Sequence, residues 1–207
     1  MHFNQILARI SSTIESNKLP GALAHQIMQP YYNNAKNFTI PTNPLAKKSA
    51  VLILIFKKDD EPYVLFIERP ENTGVHSGQI SFPGGKVEPS DIDYIDTALR
   101  ETEEEVGIQR AEIEVLGSMS KVFVAASNFI IYPIVGYMQQ PPNYITNVEV
   151  KRVLEVPLAY LQQAKIEEKP IKSGIGLVLQ APYITIEDKI LWGATAMITS
   201  ELIHITR

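Results

Sequence analysis

The sequence predicts an α+β fold: a mixed β-sheet with helices packed against it, preceded by an amino-terminal helical extension. Three features point there. Runs of β-branched and other apolar residues, such as "AVLILIFK" from Ala50 and "YVLFIER" from Tyr63, have the composition of buried strands. Other stretches carry apolar residues at helical spacing. The two kinds do not alternate one for one, as the strand–helix rhythm of an all-parallel sheet would require.

In chain order, Phe3, Ile6, Leu7, Ile10 and Ile14 recur at helical spacing, and "GALAHQIMQ" ahead of Pro30 fits a second short helix. These pieces form the extension, which either covers an edge of the sheet or contributes to a homodimer interface. The stretch "PYYNNAKNFTIPTNPLAKKS" has three prolines and four asparagines without a period, and reads as a connecting loop. "AVLILIFK" and "YVLFIER" flank the turn-like "KDDEP", which predicts an antiparallel pair. The runs "EIEVLGSMSKVFV", "FIIYPIVGYM" and "GIGLVLQAPYITI" read as further strands. Helices are predicted from Asp91 to Val106, from Leu158 to Gln163 and from Ala194 to Ile205.

Composition removes several function classes. With 207 residues and 45% hydrophobic content the chain can bury one sizeable core. Nineteen Lys and Arg against twenty-three Asp and Glu give a formal charge of -4, which lacks the basic footprint that nucleic-acid binding requires. Cysteine is absent, which excludes disulfides, thiolate nucleophiles and cysteine-ligated zinc. The longest apolar run, "AVLILIF", is too short to span a bilayer, so a cytoplasmic protein without membrane contact is expected.

The stretch "RETEEEVGI", Arg100 to Ile108, concentrates carboxylates on one helix. Ser90 with Asp93 three residues on has the spacing of a capping box, and Gly107 suits the left-handed position that ends a helix. Ile95, Ala98, Leu99, Thr102 and Val106 fall on an inward stripe. Glu101, Glu104 and Glu105 stand side by side at i, i+3, i+4 and repel one another, and Arg100 can offset part of this by reaching Glu104. A solvated acidic face is the ordinary meaning of such a run. Here the preceding "SFPGGKVEP" offers a Gly pair whose backbone can approach a bound group and lend carbonyl oxygens. Clustered carboxylates beside such a loop suit a magnesium-type ion, which takes hard oxygen ligands and keeps waters and phosphates in its shell.

From Gly85 to Ile108, "GKVEPSDIDYIDTALRETEEEVGI" resembles the Nudix box, G-x5-E-x7-R-E-U-x-E-E-x-G-U with U apolar. Arg100, Glu101, Glu104, Glu105, Gly107 and Ile108 match as they stand. Asp91 replaces the early Glu with eight residues before Arg100, and Thr102 occupies an apolar position. The coenzyme A pyrophosphatase branch of the family is similar in having the longer spacer with an Asp. It is also similar in "HSGQISFPGG" (His76 to Gly85), "VEVKRVLEVPLAYL" (Val148 to Leu161), "LWGATAMI" (Leu191 to Ile198) and "LPGALAHQIMQP". A leader resembling L-L-T-x-R-S-x-x-L-R-x-H survives only in part, as "LFIERPENTGVH" keeps Arg69 and His76.

The resemblance implies a Nudix-type α/β/α sandwich with a mixed curled sheet over residues 46–207, with residues 1–45 as extension and loop. It implies magnesium- or manganese-dependent hydrolysis of the pyrophosphate in coenzyme A or its derivatives, giving adenosine 3',5'-bisphosphate and 4'-phosphopantetheine. ADP-ribose or another nucleoside diphosphate derivative is the second substrate reading, and a non-catalytic nucleotide-binding domain the third. Carried over, Glu101 and Glu105 are metal ligands, Glu104 a third ligand or a bridge between ions, the Gly85 carbonyl a further donor, and Arg100 orients the glutamates. Glu149 is the candidate base or extra ligand, with Glu155 as substitute. Arg69, His76 and Phe82 are candidates for substrate contact. Arg69 serves equally as a strand-end partner of a local acid, His76 as a hydrogen-bonded structural residue, and Phe82 as a residue shaping the loop. Trp192 either stacks on a base or packs, and Glu103 is left to solvent.

Overall fold

In a computed structural model of the chain, residues 2–32, 43, 45–71, 78–172 and 176–207 are described. The extension forms α1 (Phe3–Glu15) and α2 (Ala22–Met28). The hairpin of β1 (Lys47–Lys58) and β2 (Glu61–Glu68) follows, then the short strands β3 (Ile80–Ser81) and β4 (Gly84–Lys86), and helix α3 (Tyr94–Val106). Strands β5 (Glu114–Ser118), β6 (Val122–Val124), β7 (Phe129–Met138) and β8 (Arg152–Pro157) complete the main sheet. After α4 (Leu158–Gln163), β9 (Glu167–Lys172), β10 (Val178–Ile186) and β11 (Lys189–Trp192) form a separate antiparallel sheet, and α5 (Gly193–Thr206) closes the chain.

The main sheet runs β3-β2-β1-β7-β5, with β4 beside β1, β6 beside β7 and β8 beside β2. β1 pairs in parallel with β7, from Lys47 opposite Phe129 to Phe56 opposite Met138, and antiparallel with β2 and β4, so the sheet is mixed. Side chains alternate across β1. Leu52, Leu54 and Phe56 pack on one face with Ala98, Val106 and Ile108 of α3 and the residues after it. Ile53 and Ile55 pack on the other with Phe3, Ile6 and Ile10 of α1 and Leu202 of α5. A strand covered on both faces reads as a continuous apolar run, which explains "AVLILIF". The α+β fold with a mixed, curled sheet between helices is therefore present, and the extension shares one of its two cores.

Local differences have local causes. The run 112–124 is not one strand: Glu112 ends a short 3-10 turn (Arg110–Glu112), the ladder is irregular between Val115 and Gly117, and pairing resumes at Val122. β9, "EEKPIK", shows no apolar alternation because it is an exposed edge, and β11 is four residues long. Among the described residues no helix is long and apolar enough to cross a membrane.

Candidate active site

Helix α3 starts at Tyr94, later than its periodicity predicts. Its cap is Asp93, whose carboxylate accepts the Asp96 N–H at 2.8 Å, so the Ser90–Asp93 capping box is not formed. The consequence lies at Asp91. Freed from the helix, its carboxylate takes a two-pronged bond from Arg100, Nε to Oδ1 at 2.8 Å and Nη2 to Oδ2 at 3.0 Å. The Glu88 N–H and the Thr97 hydroxyl, both at 2.8 Å, complete its shell. Arg100 holds this carboxyl well below the usual range, assisted by those two donors against the cost of burial. The longer spacer thus delivers the acid that fixes Arg100. At the far end Gly107 has φ 75 and donates its N–H to the Glu103 carbonyl at 3.0 Å, as predicted. Thr102 fills an apolar position because its hydroxyl bonds back to the Ala98 carbonyl at 2.7 Å.

β4 brings the two glycines under this helix by pairing Gly84 with Val51 and Gly85 with Ala50. Gly84 has φ 151, and a Cβ there would lie 2.4 Å from the Ala50 carbonyl oxygen. A Cβ at Gly85 would lie 2.3 Å from the carboxyl carbon of Glu101. Two backbones therefore meet at Gly84, where only glycine fits, and the Glu101 carboxylate lies against Gly85.

Glu105 is 2% exposed, accepting the Gly84 N–H at 2.9 Å and Arg69 Nη2 at 3.2 Å. Burial pushes its carboxyl up to about 7, opposed by the Gly84 bond and Arg69 and reinforced by the charges of Glu101 and Glu149. Glu101 accepts Arg100 Nη1 at 3.0 Å and is also raised, first by burial, then by Glu104 and Glu149, against the pull of Arg100. Arg100 further donates to the Lys86 carbonyl at 3.0 Å, which ties the helix to β4. Its link to Glu104 is long, 3.5 Å, and the Glu104 side chain is 56% exposed.

Other predicted residues fall on and off this centre. Glu149 is exposed in the turn ahead of β8, its backbone held by Asn147, and its charge reaches both Glu101 and Glu105. Glu155 on β8 is committed to Lys58 at 2.5 Å and Tyr144 at 2.8 Å, away from the carboxylates. Arg69 meets the site, and the local acid it pairs with is Glu105 itself. Phe82, predicted as a substrate contact, is corrected: it is 2% exposed and stacked on Phe66 at 4.7 Å, so it props the glycine loop from within the core. Glu103 is not left to solvent but bonds Arg110 Nε at 3.0 Å. Trp192 is half-buried at the head of α5. His76 lies outside the described residues. Sequence reasoning missed the Asp91–Arg100 pair; the signal was Asp91 standing where the box has its early Glu.

The donor set suits a hard divalent cation. Two carboxylates and a glycine backbone crowd together, both carboxyls destabilised as anions by burial and by neighbouring acids, and Gly85 leaves the space a side chain would fill. Among the described residues no three acids or histidines are grouped as a metal site, and magnesium commonly keeps water or phosphate oxygens in its shell.

Comparison with known proteins agrees with this geometry. Residues 46–156 match the NUDIX domain model. An uncharacterized Nudix hydrolase, NudL, of Yersinia pestis (strain Pestoides F) is 33% identical over 180 residues, covering 86% of this chain and 88% of the relative. The NudL of Yersinia pseudotuberculosis serotype O:1b (strain IP 31758) matches to the same extent. Among solved structures, a MutT/nudix family protein from Enterococcus faecalis superposes with a TM-score of 0.52 at 18% identity, covering 80% of this chain and 63% of that one, a likeness of fold. With the box residues assembled on one helix over the glycine loop, the chain belongs to the Nudix family and is a Nudix pyrophosphohydrolase.

Proposed function

We propose that the protein hydrolyses the pyrophosphate bond of coenzyme A or its derivatives, releasing adenosine 3',5'-bisphosphate and 4'-phosphopantetheine. The hydrolytic part is carried by one observation, the meeting of Glu101 and Glu105 over Gly84 and Gly85 with Arg100 locked by Asp91. The coenzyme A part is supported by the Asp91 spacing and by the "HSGQISFPGG" and "VEVKRVLEVPLAYL" stretches.

Magnesium or manganese would be held by Glu101, Glu105 and the Gly85 carbonyl, with Glu104, exposed on the same helix, as the further ligand that the resemblance implies. When bound it neutralises the carboxylates, polarises phosphoryl oxygens and lowers the pKa of a water from about 15.7 toward neutrality. The chain's own residues do the rest by position. Arg100, fixed by Asp91 and the Lys86 carbonyl, holds the Glu101 carboxylate toward Gly85. Arg69 already bridges Gly84 and Glu105 with one guanidinium nitrogen, leaving donors for a phosphate. Glu149, exposed and electrostatically in touch with both ligands, is the proton acceptor for the attacking water. Phosphoryl transfer asks chiefly for positioning and charge stabilisation, so no covalent nucleophile is needed.

The test is a panel of coenzyme A, acetyl-coenzyme A, ADP-ribose and a dinucleoside polyphosphate, assayed with magnesium and again with excess chelator. Chelator-sensitive release of adenosine 3',5'-bisphosphate from coenzyme A is expected. Turnover of ADP-ribose without turnover of coenzyme A would overturn the substrate assignment and leave the hydrolase intact.

A further inference from the structure

Glu149 is exposed and lies outside every described helix and strand, yet the chain on either side of it is pinned. Upstream, the Ile145 N–H donates to the Val106 carbonyl at 2.9 Å and the Asn147 N–H to the Glu105 carbonyl at 3.1 Å. Both carbonyls belong to the last turn of α3, where helical geometry leaves them without a partner in the helix. The segment thus caps α3 with alternate N–H groups. Gly107 makes the approach possible, because a Cβ there would lie 2.8 Å from the Ile145 Cβ and 2.9 Å from its carbonyl oxygen. Downstream, the Lys151 N–H donates to the Glu68 carbonyl at 2.8 Å, and Val150 is buried in the core that holds Ala98 and Val106 of α3.

These anchors close a ring. Glu105 and Arg69 are joined by their side chains at 3.2 Å, Arg69 follows Glu68 in the chain, and residues 147–151 span from the Glu105 carbonyl to the Glu68 carbonyl. Glu149 is the middle residue of that span. This accounts for the charge it exerts on Glu101 and Glu105 from an exposed turn. The anchors at Asn147 and Lys151 fix where the span starts and ends, and leave open how it turns between them. Asn147 decides that: its Oδ1 accepts the Glu149 N–H at 2.8 Å, and its carbonyl accepts the Val150 N–H at 3.3 Å. An Asn side chain that bonds the backbone two residues on mimics a turn of main chain and holds the residue between. One residue therefore grips Glu105 by its N–H and Glu149 by its side chain.

We infer that Asn147 is a positioning residue for the hydrolysis: it sets the backbone of Glu149 relative to Glu105, so that the Glu149 carboxylate stands where it takes a proton from the attacking water. This rests on the reading of Glu149 as proton acceptor given above, and it adds a residue that the box does not contain. A general base works only within hydrogen-bond reach of the proton it removes, and an exposed turn left to itself samples many backbone conformations. The Asn147 bond removes most of that choice before substrate arrives.

The test uses the full-length protein with saturating magnesium on the panel substrate it hydrolyses fastest. Wild type is compared with Asn147→Ala, Asn147→Asp, Glu149→Gln and the double variant Asn147→Ala/Glu149→Gln, with Thr146→Ala, an exposed change in the same segment, as control. Ala removes the side-chain acceptor and leaves the backbone bond to Glu105, whereas Asp keeps an oxygen in its place. Asn147→Ala is expected to lower kcat about tenfold with KM within about threefold, the size of loss typical of a residue that orients another. Asn147→Asp should return kcat to within about threefold of wild type, and Thr146→Ala should change nothing. Because Asn147 acts through Glu149, its loss should cost less than about twofold in the Glu149→Gln background. The changes are at the surface, so the thermal midpoint should stay near wild type. Undiminished kcat in Asn147→Ala, or a full further tenfold loss in the double variant, overturns the inference; Glu149 remains the base if Glu149→Gln alone is impaired by about a hundredfold. Undiminished kcat in Glu149→Gln overturns the base reading and the inference with it, as does a wild type that hydrolyses no member of the panel.

Discussion

At the scale of single residues the site is a contest over charge. Glu105 sits in surroundings that raise its carboxyl to about 7 and Glu101 is raised as well, whereas Asp91, ahead of the helix, is held low by a two-pronged bond to Arg100. Acids whose environments drive them apart in this way have different tasks. Asp91 is a fixed anion that locks an arginine; Glu101 and Glu105 are anions in want of a cation. Gly85 offers a clean probe of this arrangement, because the conflict a methyl group meets there is with the tip of the Glu101 side chain, which can move aside. Gly85→Ala is therefore expected to cost less than about 1 kcal/mol of stability. Displacing this proposed ligand from its place should lower kcat/KM by roughly tenfold to a hundredfold, and activity at the wild-type level with Ala at this position would contradict the proposed role of Glu101. Much of this was legible: the box spacing names Arg100, Glu101, Glu104 and Glu105. The exposure ranking was not, since Glu103 pairs with Arg110, a residue outside the motif, and Glu104 is the one that faces water.

At the scale of elements, the helices of the extension are joined to the rest by a buried polar knot. Glu201 of α5 accepts four hydrogen bonds, from the Gly21 N–H ahead of α2 at 2.9 Å, His25 of α2 at 3.0 Å, and the Ser120 hydroxyl and N–H at 2.6 and 3.2 Å. Burial pushes the Glu201 carboxyl up, but these donors outweigh it and the carboxyl is held below its ordinary value. A carboxylate depressed in the folded state stabilises the fold above its unfolded pKa of roughly 4.3, and that contribution is lost as pH falls through the folded value. The thermal midpoint should therefore decline below about pH 4. Glu201→Gln should lose about 2 kcal/mol at pH 7 and show a shallower acid decline; equal acid profiles for the two proteins would remove Glu201 from the account. None of this was visible in sequence, where Glu201 is the one acidic residue of a helix that also carries Thr, Ser and His, and its partners lie far away along the chain. The α3 helix shows the opposite case. Its end at Gly107 and its inward stripe could be read directly, but its start could not, because Ser90, Asp91 and Asp93 all have capping chemistry and only the pull of Arg100 on Asp91 decides between them.

For the whole molecule, the strands buried on both faces were the most legible, because continuous apolar composition has few other meanings in a short segment. β1, β2 and β7 belong here. The edges were not: β9 is exposed and charged, and β3 and β4 are set by the glycine loop and the register with β1 and β2 rather than by any periodicity of their own. The same loop then places Gly84 and Gly85 beneath α3, so the least regular part of the sheet is what makes the site. In the proposed mechanism this meeting point hydrolyses a pyrophosphate with Glu105 as an anion at its core. The most direct measurement is turnover of the preferred panel substrate by Glu105→Gln across a magnesium titration, with the fold followed by thermal melting. The account predicts a loss of at least about a hundredfold that magnesium does not restore, in a protein whose metal-free melting point is equal to or above wild type because an unfavourable buried charge is gone. Undiminished turnover in a folded Glu105→Gln protein would contradict it.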